Sequence, residues 1–259
     1  MELGIKGKVA VVTGGAKGIG RAIVEGLAEE GANVVISDVL LEDAEELANR
    51  LKNKVGVLTV KTDVSNSSDV EKLVSATLKK FERIDILVNN AGVARAVPFT
   101  DLEEKEWDRT LDINAKGVYL VTSMVVPHMI ASKSGRIVNT SSVSGKRGGP
   151  ELAHYCASKF AVLGLTQSLA LELGKYNITV NAVCPGIVRT DMWNAVEGSK
   201  AKLRGQSPAQ FFAGIVNQIP LGRPQEMEDI ANAVLFLSSE AAKNITGEAI
   251  NVSGGLFMD

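Results

Sequence analysis

The chain has 259 residues, is 45% hydrophobic and carries a formal net charge of −2, which suits one large α/β domain with a substantial core. Its charges are interspersed with no basic patch, which argues against nucleic acid as the main partner, and no apolar run approaches the ~20 residues that span a membrane. Met1 to Lys8 lacks an apolar signal core, the two cysteines, Cys156 and Cys184, make no disulfide framework, and no His/Cys/Asp cluster has metal-ligand spacing; these features fit a soluble protein of a reducing cytoplasm with no metal.

The first predicted strand is Val9–Thr13, short and β-branched. It runs into Gly14-Gly15-Ala16-Lys17-Gly18-Ile19-Gly20 and then a helical apolar spacing over 19–30. Glycines at 14, 18 and 20 permit a tight turn, and a helix N-terminus offers unpaired N–H groups to a pyrophosphate. The spacing is Gly-x-x-x-Gly-x-Gly rather than Gly-x-Gly-x-x-Gly. The second strand, Asn33–Asp38, ends in an acid 18 residues past Gly20 (38 minus 20). There a carboxylate can take both ribose hydroxyls of NAD and repel the additional phosphate of NADP. Lys17 argues the other way, because it could neutralise that phosphate. Asp38 weighs more, so NAD is the expected cofactor, ahead of NADP.

Strands follow at 56–61, 85–89, 135–140, 178–184 and 248–252. Helical stretches lie near 42–52, 67–80, 103–132, 155–174 and 226–238. This alternation predicts a doubly wound parallel sheet of about seven strands with helices on both faces, in one domain over 1–259. The stretch from about 186 to 224 reads as irregular and long enough to be a substrate-binding lid. Chemistry-bearing residues cluster after the strands, where such sheets bind ligands: Asp63 and Val64, then Asn90, Ala91 and Gly92, then Ser142, then Pro185 and Gly186.

Tyr155 and Lys159 are four residues apart, on one helix face. An ammonium beside a phenol lowers the phenol pKa and makes a proton acceptor. The duller reading is a Lys stem packed on a Tyr ring. Asn114 lies in a mostly apolar stretch and is expected to be buried with partners. His154 reads as a surface or lid histidine, His128 as structural and Cys156 as packing. Met192, Trp193, Phe211 and Phe212 are either pocket walls or the apolar underside of the lid.

Taken together, these motifs resemble the short-chain dehydrogenase/reductase family over essentially the whole chain. The resemblance rests on residues 13–20, Asp63-Val64, 89–92, Asn114, Ser142, 155–159 and 185–190. It implies a single Rossmann-type domain. It implies dinucleotide contacts from Gly14, Lys17, Gly18, Ile19, Gly20, Asp38, Asp63, Val64, Asn90, Ala91, Gly92, Tyr155, Lys159, Pro185, Gly186, Val188 and Thr190. It also implies a catalytic set of Asn114, Ser142, Tyr155 and Lys159, in which Tyr155 exchanges the proton, Ser142 orients the substrate oxygen and Asn114 holds a water in a relay to Lys159. The thirteen residues from Ser142 to Tyr155 (155 minus 142) match the family and favour Ser142 over Ser141.

The expected walls of the substrate end are 93–97, 143–151 and the stretch after Thr190. Their mixture of apolar residues with Arg95, Lys146, Arg147, Glu151 and Asn194 suits a small polar carbinol. Residues 220–224 and 251–259 resemble members that oxidise polyols and vicinal diols (sorbitol, galactitol and butanediol dehydrogenases). NADPH-dependent 3-oxoacyl-(acyl-carrier-protein) reductases are the alternative, and a non-catalytic dinucleotide sensor is an alternative of another class. The family implies a homotetramer. Surplus apolar residues on the long helices, including Val118, Val121, Val125, Phe160, Leu163 and Leu169, offer faces for it.

Overall fold

In a computed structural model, which describes residues 3–258, the strand-forming runs build one seven-stranded sheet. They are β1 (Val9–Thr13), β2 (Asn33–Asp38), β3 (Val57–Lys61), β4 (Ile86–Asn89), β5 (Gly135–Thr140), β6 (Ile178–Pro185) and β7 (Ala249–Val252). Their order is β3-β2-β1-β4-β5-β6-β7, and every pairing is parallel. The expected strands are all present, with ends moved by no more than a residue. The chain leaves β1 for β2 on one side and returns to β4 on the other. That reversal opens a crevice beyond the carboxyl ends of β1 and β4, where an α/β sheet binds its ligand.

The helices are α1 (Gly18–Glu29), α2 (Leu41–Leu51), α3 (Ser67–Phe81), α4 (Glu104–Leu111), α5 (Gly117–Ser132), α6 (Ala153–Leu173), α7 (Asp191–Leu203), α8 (Pro208–Val216) and α9 (Met227–Ser238). One apolar cluster joins β-strand side chains such as Val12, Val34 and Ile36 to Ile23, Leu27, Leu47, Ile230 and Val234 of α1, α2 and α9. A second joins Val11, Val35 and Leu87 to Leu73, Val121, Val125, Met129 and Leu173 of α3, α5 and α6. Alternate residues of one strand therefore supply both clusters, as the two-residue period of a strand requires when both faces are covered. Each large side chain buried in this way contributes about 1.5–3 kcal/mol.

Two expectations change. The helical stretch over 103–132 is not continuous: a π-helical segment, Asp112–Lys116, separates α4 from α5. Such bulges concentrate at functional sites, and this one carries Asn114. The region read as irregular holds two helices. Thr190 caps α7 through Trp193 N, while Ser207, Pro208 and Gln210 form a capping box with proline in the first turn of α8. Those start signals stand in the sequence; Gly198, Gly205 and Gly214 mask the helical pattern between them.

Candidate active site

The crevice is a cavity of about 650 Å³ reached by residues from every strand end between β1 and β6. Gly14, Lys17, Gly18, Ile19, Gly20, Asp38, Asp63, Val64, Asn90, Ala91, Gly92, Ser142, Tyr155, Lys159, Pro185, Gly186, Val188 and Thr190 all line it. Asn114 lies one layer behind. Sequence reasoning missed Thr62, Arg109, Ile113, Thr140, Leu152 and Ile187, which also line it, as does Val196 within the expected stretch after Thr190. Val196 follows Met192 at helical spacing, a signal available once α7 is recognised.

The glycine loop fits closely between its neighbours. Gly14 has φ +62°, and a Cβ there would stand 2.8 Å from Ala91 Cα. A Cβ on Gly20 would run into the Gly14 carbonyl. Asn90 Nδ2 donates to the carbonyls of Gly14 (3.0 Å) and Thr13 (3.2 Å), so this side chain braces the loop. No side chain caps the start of α1 at Lys17, which leaves helix N–H groups directed at the cavity. At the far end of β2, Asp38 accepts from Ala16 N through Oδ2 and from Leu40 N through Oδ1, both at 3.0 Å. Lys17, at the cavity's edge, pairs with Asp43 at 3.1 Å. Beyond β3, Asp63 Oδ1 accepts from Ser65 N and Oγ. On the opposite wall, Gln225 Oε1 accepts from Ile187 N at 2.7 Å and shapes the turn after Pro185.

The two serines after β5 divide their roles. Ser141 Oγ donates to the Lys159 carbonyl at 3.0 Å and clamps α6. Ser142 Oγ accepts from Ser144 N at 3.1 Å and hydrogen-bonds the Tyr155 hydroxyl. Lys159 Nζ donates to the Thr140 carbonyl at 2.8 Å and lies 5.8 Å from the Tyr155 ring centroid. Asn114 is fully buried. Its Oδ1 accepts from Val93 N (2.8 Å), and its Nδ2 donates to Val93 O (2.9 Å) and Ser158 Oγ (3.0 Å). The side chain thus clamps the segment after β4. A Cβ on Gly92 would be 3.3 Å from Asn114 Oδ1 and 3.5 Å from Lys159 Nζ, so the missing side chain brings amide and ammonium to one spot.

The electrostatics depart from the expectation. Burial pushes the Tyr155 phenol up to about 12, partly opposed by the Ser142 hydrogen bond. Burial also pushes Lys159 down to about 8. Desolvation is the largest influence on both groups, so this chain by itself holds a neutral phenol near pH 7.

The substrate end is also less polar than expected. Val93, Ala94, Val143, Leu152, Met192, Trp193 and Val196 line it. The charged residues assigned to these walls are engaged elsewhere: Arg95 with Glu106, Glu151 with Lys200 and Arg204, Lys146 with the Ala249 carbonyl and Arg147 with the Phe257 ring. Met192 and Trp193 are pocket walls, whereas Phe211 and Phe212 lie outside the lining and stack under Arg204 and Arg189. Cys156 packs with Ala96, Leu152 and Val196. His154 is fully buried rather than on the surface, where desolvation lowers its pKa, and His128 is exposed.

Among the described residues, no helix is long and apolar enough to cross a membrane, and no group of three or more His, Cys, Asp and Glu could hold a metal ion. The chain is 38% identical over 257 residues to the 3-oxoacyl-(acyl-carrier-protein) reductase FabG of Thermotoga maritima, covering 98% of this chain and 99% of that one. It is 41% identical over 259 residues to the protein of the same description from Aquifex aeolicus, covering 99% and 100%. Among solved structures, it superposes on levodione reductase with a TM-score of 0.91 at 36% identity, covering 96% and 97% of the two chains. It superposes on NAD+-bound xylitol dehydrogenase with a TM-score of 0.93 at 33% identity, covering 97% and 99%. Residues 8–201 match the family described as short chain dehydrogenase, and with the parallel sheet and strand-end cavity already in view, the chain belongs to the short-chain dehydrogenase family of oxidoreductases.

Proposed function

We propose that this protein interconverts a secondary alcohol and a ketone by hydride exchange with NAD(H), acting on small carbinols of the vicinal-diol and polyol class. The observation that carries this reading is the Ser142–Tyr155 hydroxyl pair, set with Lys159 in the same cavity as the open start of α1 and the Asp38 carboxylate.

A dinucleotide fits the residues present. The glycine loop and the uncapped α1 terminus would hold a pyrophosphate. Asp38 would take the ribose hydroxyls, and Val39 and Leu40, 54% and 44% exposed beside it, offer apolar cover for a base. With Lys17 paired to Asp43, the charge that argued for NADP already has a carboxylate partner, which supports NAD. Asp63, Val64, Ala91 and Gly92 would flank the adenosine half. Pro185, Gly186, Val188 and Thr190 would flank the nicotinamide, and Lys159 would hold its ribose. When bound, the oxidised nicotinamide supplies the hydride acceptor and a positive charge.

The chain's own residues manage the proton. Ser142 places the substrate oxygen against Tyr155. Tyr155 Oη, as phenolate, takes the hydroxyl proton of the alcohol as hydride departs from the carbon that bears that oxygen, and returns the proton when a ketone is reduced. Lys159 holds positive charge near the phenol as it ionises, and Asn114 keeps the chain after β4 pinned beside that ammonium. Added positive charge must offset the burial that holds the phenol up.

Within the diol and polyol class, the apolar walls favour a short vicinal diol or its hydroxyketone over a long sugar alcohol. NADPH-dependent reduction of 3-oxoacyl thioesters is the second reading, supported by the description of the curated relatives. A panel of short diols, sugar alcohols and 3-oxoacyl thioesters, each with both dinucleotides, tests the proposal. NAD-linked turnover of diols supports it; turnover of thioesters alone overturns it in favour of the second reading; tight dinucleotide binding without any turnover would indicate a sensor.

The proposed assembly is a homotetramer. Val118, Val121 and Val125 are absorbed into the monomer core, but Phe160 (47%), Tyr119 (56%) and Leu171 (88%) remain exposed on α5 and α6. A monomer by light scattering at micromolar concentration would refute it.

A further inference from the structure

Glu151 stands outside the cavity lining, yet it ties together all three walls of the substrate end. Its backbone carbonyl accepts from Val97 N at 2.8 Å, which fixes the segment after β4 that bears Val93 and Ala94. Its carboxylate reaches across to α7. Arg204 Nη2 donates to both oxygens, at 3.2 and 3.0 Å, and Lys200 Nζ is 3.5 Å from Oε2. Lys200, itself buried, also donates to the Pro150 carbonyl at 3.0 Å. Leu152, the residue after Glu151, is a pocket wall. Val196, one turn before Lys200, is the wall that faces it in the same apolar cluster as Ala96, Tyr155 and Trp193. The Trp193 indole is pinned in turn by Glu197 Oε2, which accepts from Nε1 at 3.0 Å.

The backbone supplies an independent sign. Glu151 has φ +61°, the left-handed region where glycine or asparagine is the usual occupant. A non-glycine residue held there costs free energy that the surrounding structure must offset, and such residues gather at ligand clamps. The residue at this position forgoes the easier conformer and carries a carboxylate that two cations bind.

We propose that Glu151 is a specificity-determining positioning residue: by latching α7 to the 146–152 segment through Lys200 and Arg204, it fixes the width of the substrate end and restricts the enzyme to compact carbinols. The inference rests on the alcohol/ketone reading of the same site and deepens it. With the latch closed, Leu152 and Val196 cannot separate to admit a longer chain between them. A hydrophobic pocket of fixed size discriminates by about tenfold or more per surplus methylene, and one free to widen loses that discrimination.

The test compares wild type, Glu151→Gln and the double variant Lys200→Met/Arg204→Gln. The double variant leaves the Glu151 backbone untouched, so agreement between the variants separates the latch from any folding defect. Secondary alcohols and vicinal diols from about four to about ten carbons are assayed with NAD, and amide hydrogen exchange is followed in the dinucleotide-free proteins. The expected result is faster exchange across 146–152 and 191–203 in both variants. On the longest substrates kcat/KM rises about tenfold through KM, while on the shortest kcat stays within a few-fold of wild type. Unchanged exchange in both variants overturns the latch. Faster exchange with an unchanged chain-length profile overturns the selectivity claim alone. A wild-type protein inactive on the whole series overturns the reading of the site and the selectivity claim with it, while the exchange arm still shows whether α7 is latched.

Discussion

Asp38→Asn places the dinucleotide preference on one carboxylate. Both of its oxygens are in use, each accepting a backbone N–H at 3.0 Å, from Ala16 and from Leu40. Asparagine keeps one acceptor and turns an amide donor toward the other N–H, so one hydrogen bond to a charged acceptor is lost, about 1.5 kcal/mol. The larger effect is on charge. Two unit like charges about 5 Å apart at an effective dielectric of about 20 repel by about 3 kcal/mol, about a hundredfold in affinity. Wild type is therefore expected to use NAD with a kcat/KM about a hundredfold above NADP on the same alcohol, and Asp38→Asn to narrow that ratio by a similar factor, mainly through the KM for NADP. Asp43→Asn, which releases Lys17 from its 3.1 Å pair, is expected to add a few-fold in the same direction. The assay is the absorbance of the reduced dinucleotide with each cofactor, with thermal unfolding followed on the same samples. A wild-type preference for NADP refutes the reasoning. So does a lowered unfolding temperature with an unchanged cofactor ratio, which would leave Asp38 only as a strap on the end of β2.

Tyr155→Phe is expected to lose nearly all turnover while binding NAD within a few-fold of wild type; near-normal turnover would remove the phenol from the mechanism. Ser142→Ala deletes the hydrogen bond that lowers the Tyr155 pKa, so the phenol is expected to shift further up; the rise of kcat with pH moves to higher pH in Ser142→Ala, and Ser141→Ala leaves it in place. Asn114→Ala strips the partners from Val93 N and O and is expected to cost about 2–3 kcal/mol in denaturant unfolding; a loss of activity without any loss of stability would assign Asn114 a chemical role instead of a clamp. His154 is held neutral by burial, against the attraction of Glu106 and with help from Arg95. The unfolded chain then binds the additional proton below about 6.5, so His154's contribution is full above that pH and is lost as pH falls toward the lowered folded value; His154→Phe is expected to flatten the stability profile in that window, and an unchanged slope would refute it.

The strand ends at Gly14, Asp38, Asp63, Asn90, Ser142 and Pro185 are legible in the sequence, because each follows a β-branched run and parallel strands present their carboxyl ends along one edge. The choice of Ser142 over Ser141 rested on a family spacing; the structure supplies the physical reason, since Ser141 is turned back onto the Lys159 carbonyl. The helices α7 and α8 were missed although their caps are written in Thr190 and Ser207-Pro208, because glycines dilute the periodic signal between caps.

Residue type, period and the positions of glycine are local properties, and they sufficed for the parallel sheet, the glycine turn after β1 and the Tyr155–Lys159 pair. Partners are not local. That Lys17 goes to Asp43, that the cations of the substrate walls are engaged by Glu106, Ala249 and Phe257, that His154 is sealed inside and that Glu151 ties three segments depend on contacts across distant parts of the chain. The phenol shows the difference most directly. A lysine at i+4 predicts a lowered pKa, but only packing determines how much water remains around the pair, and here burial raises the phenol instead.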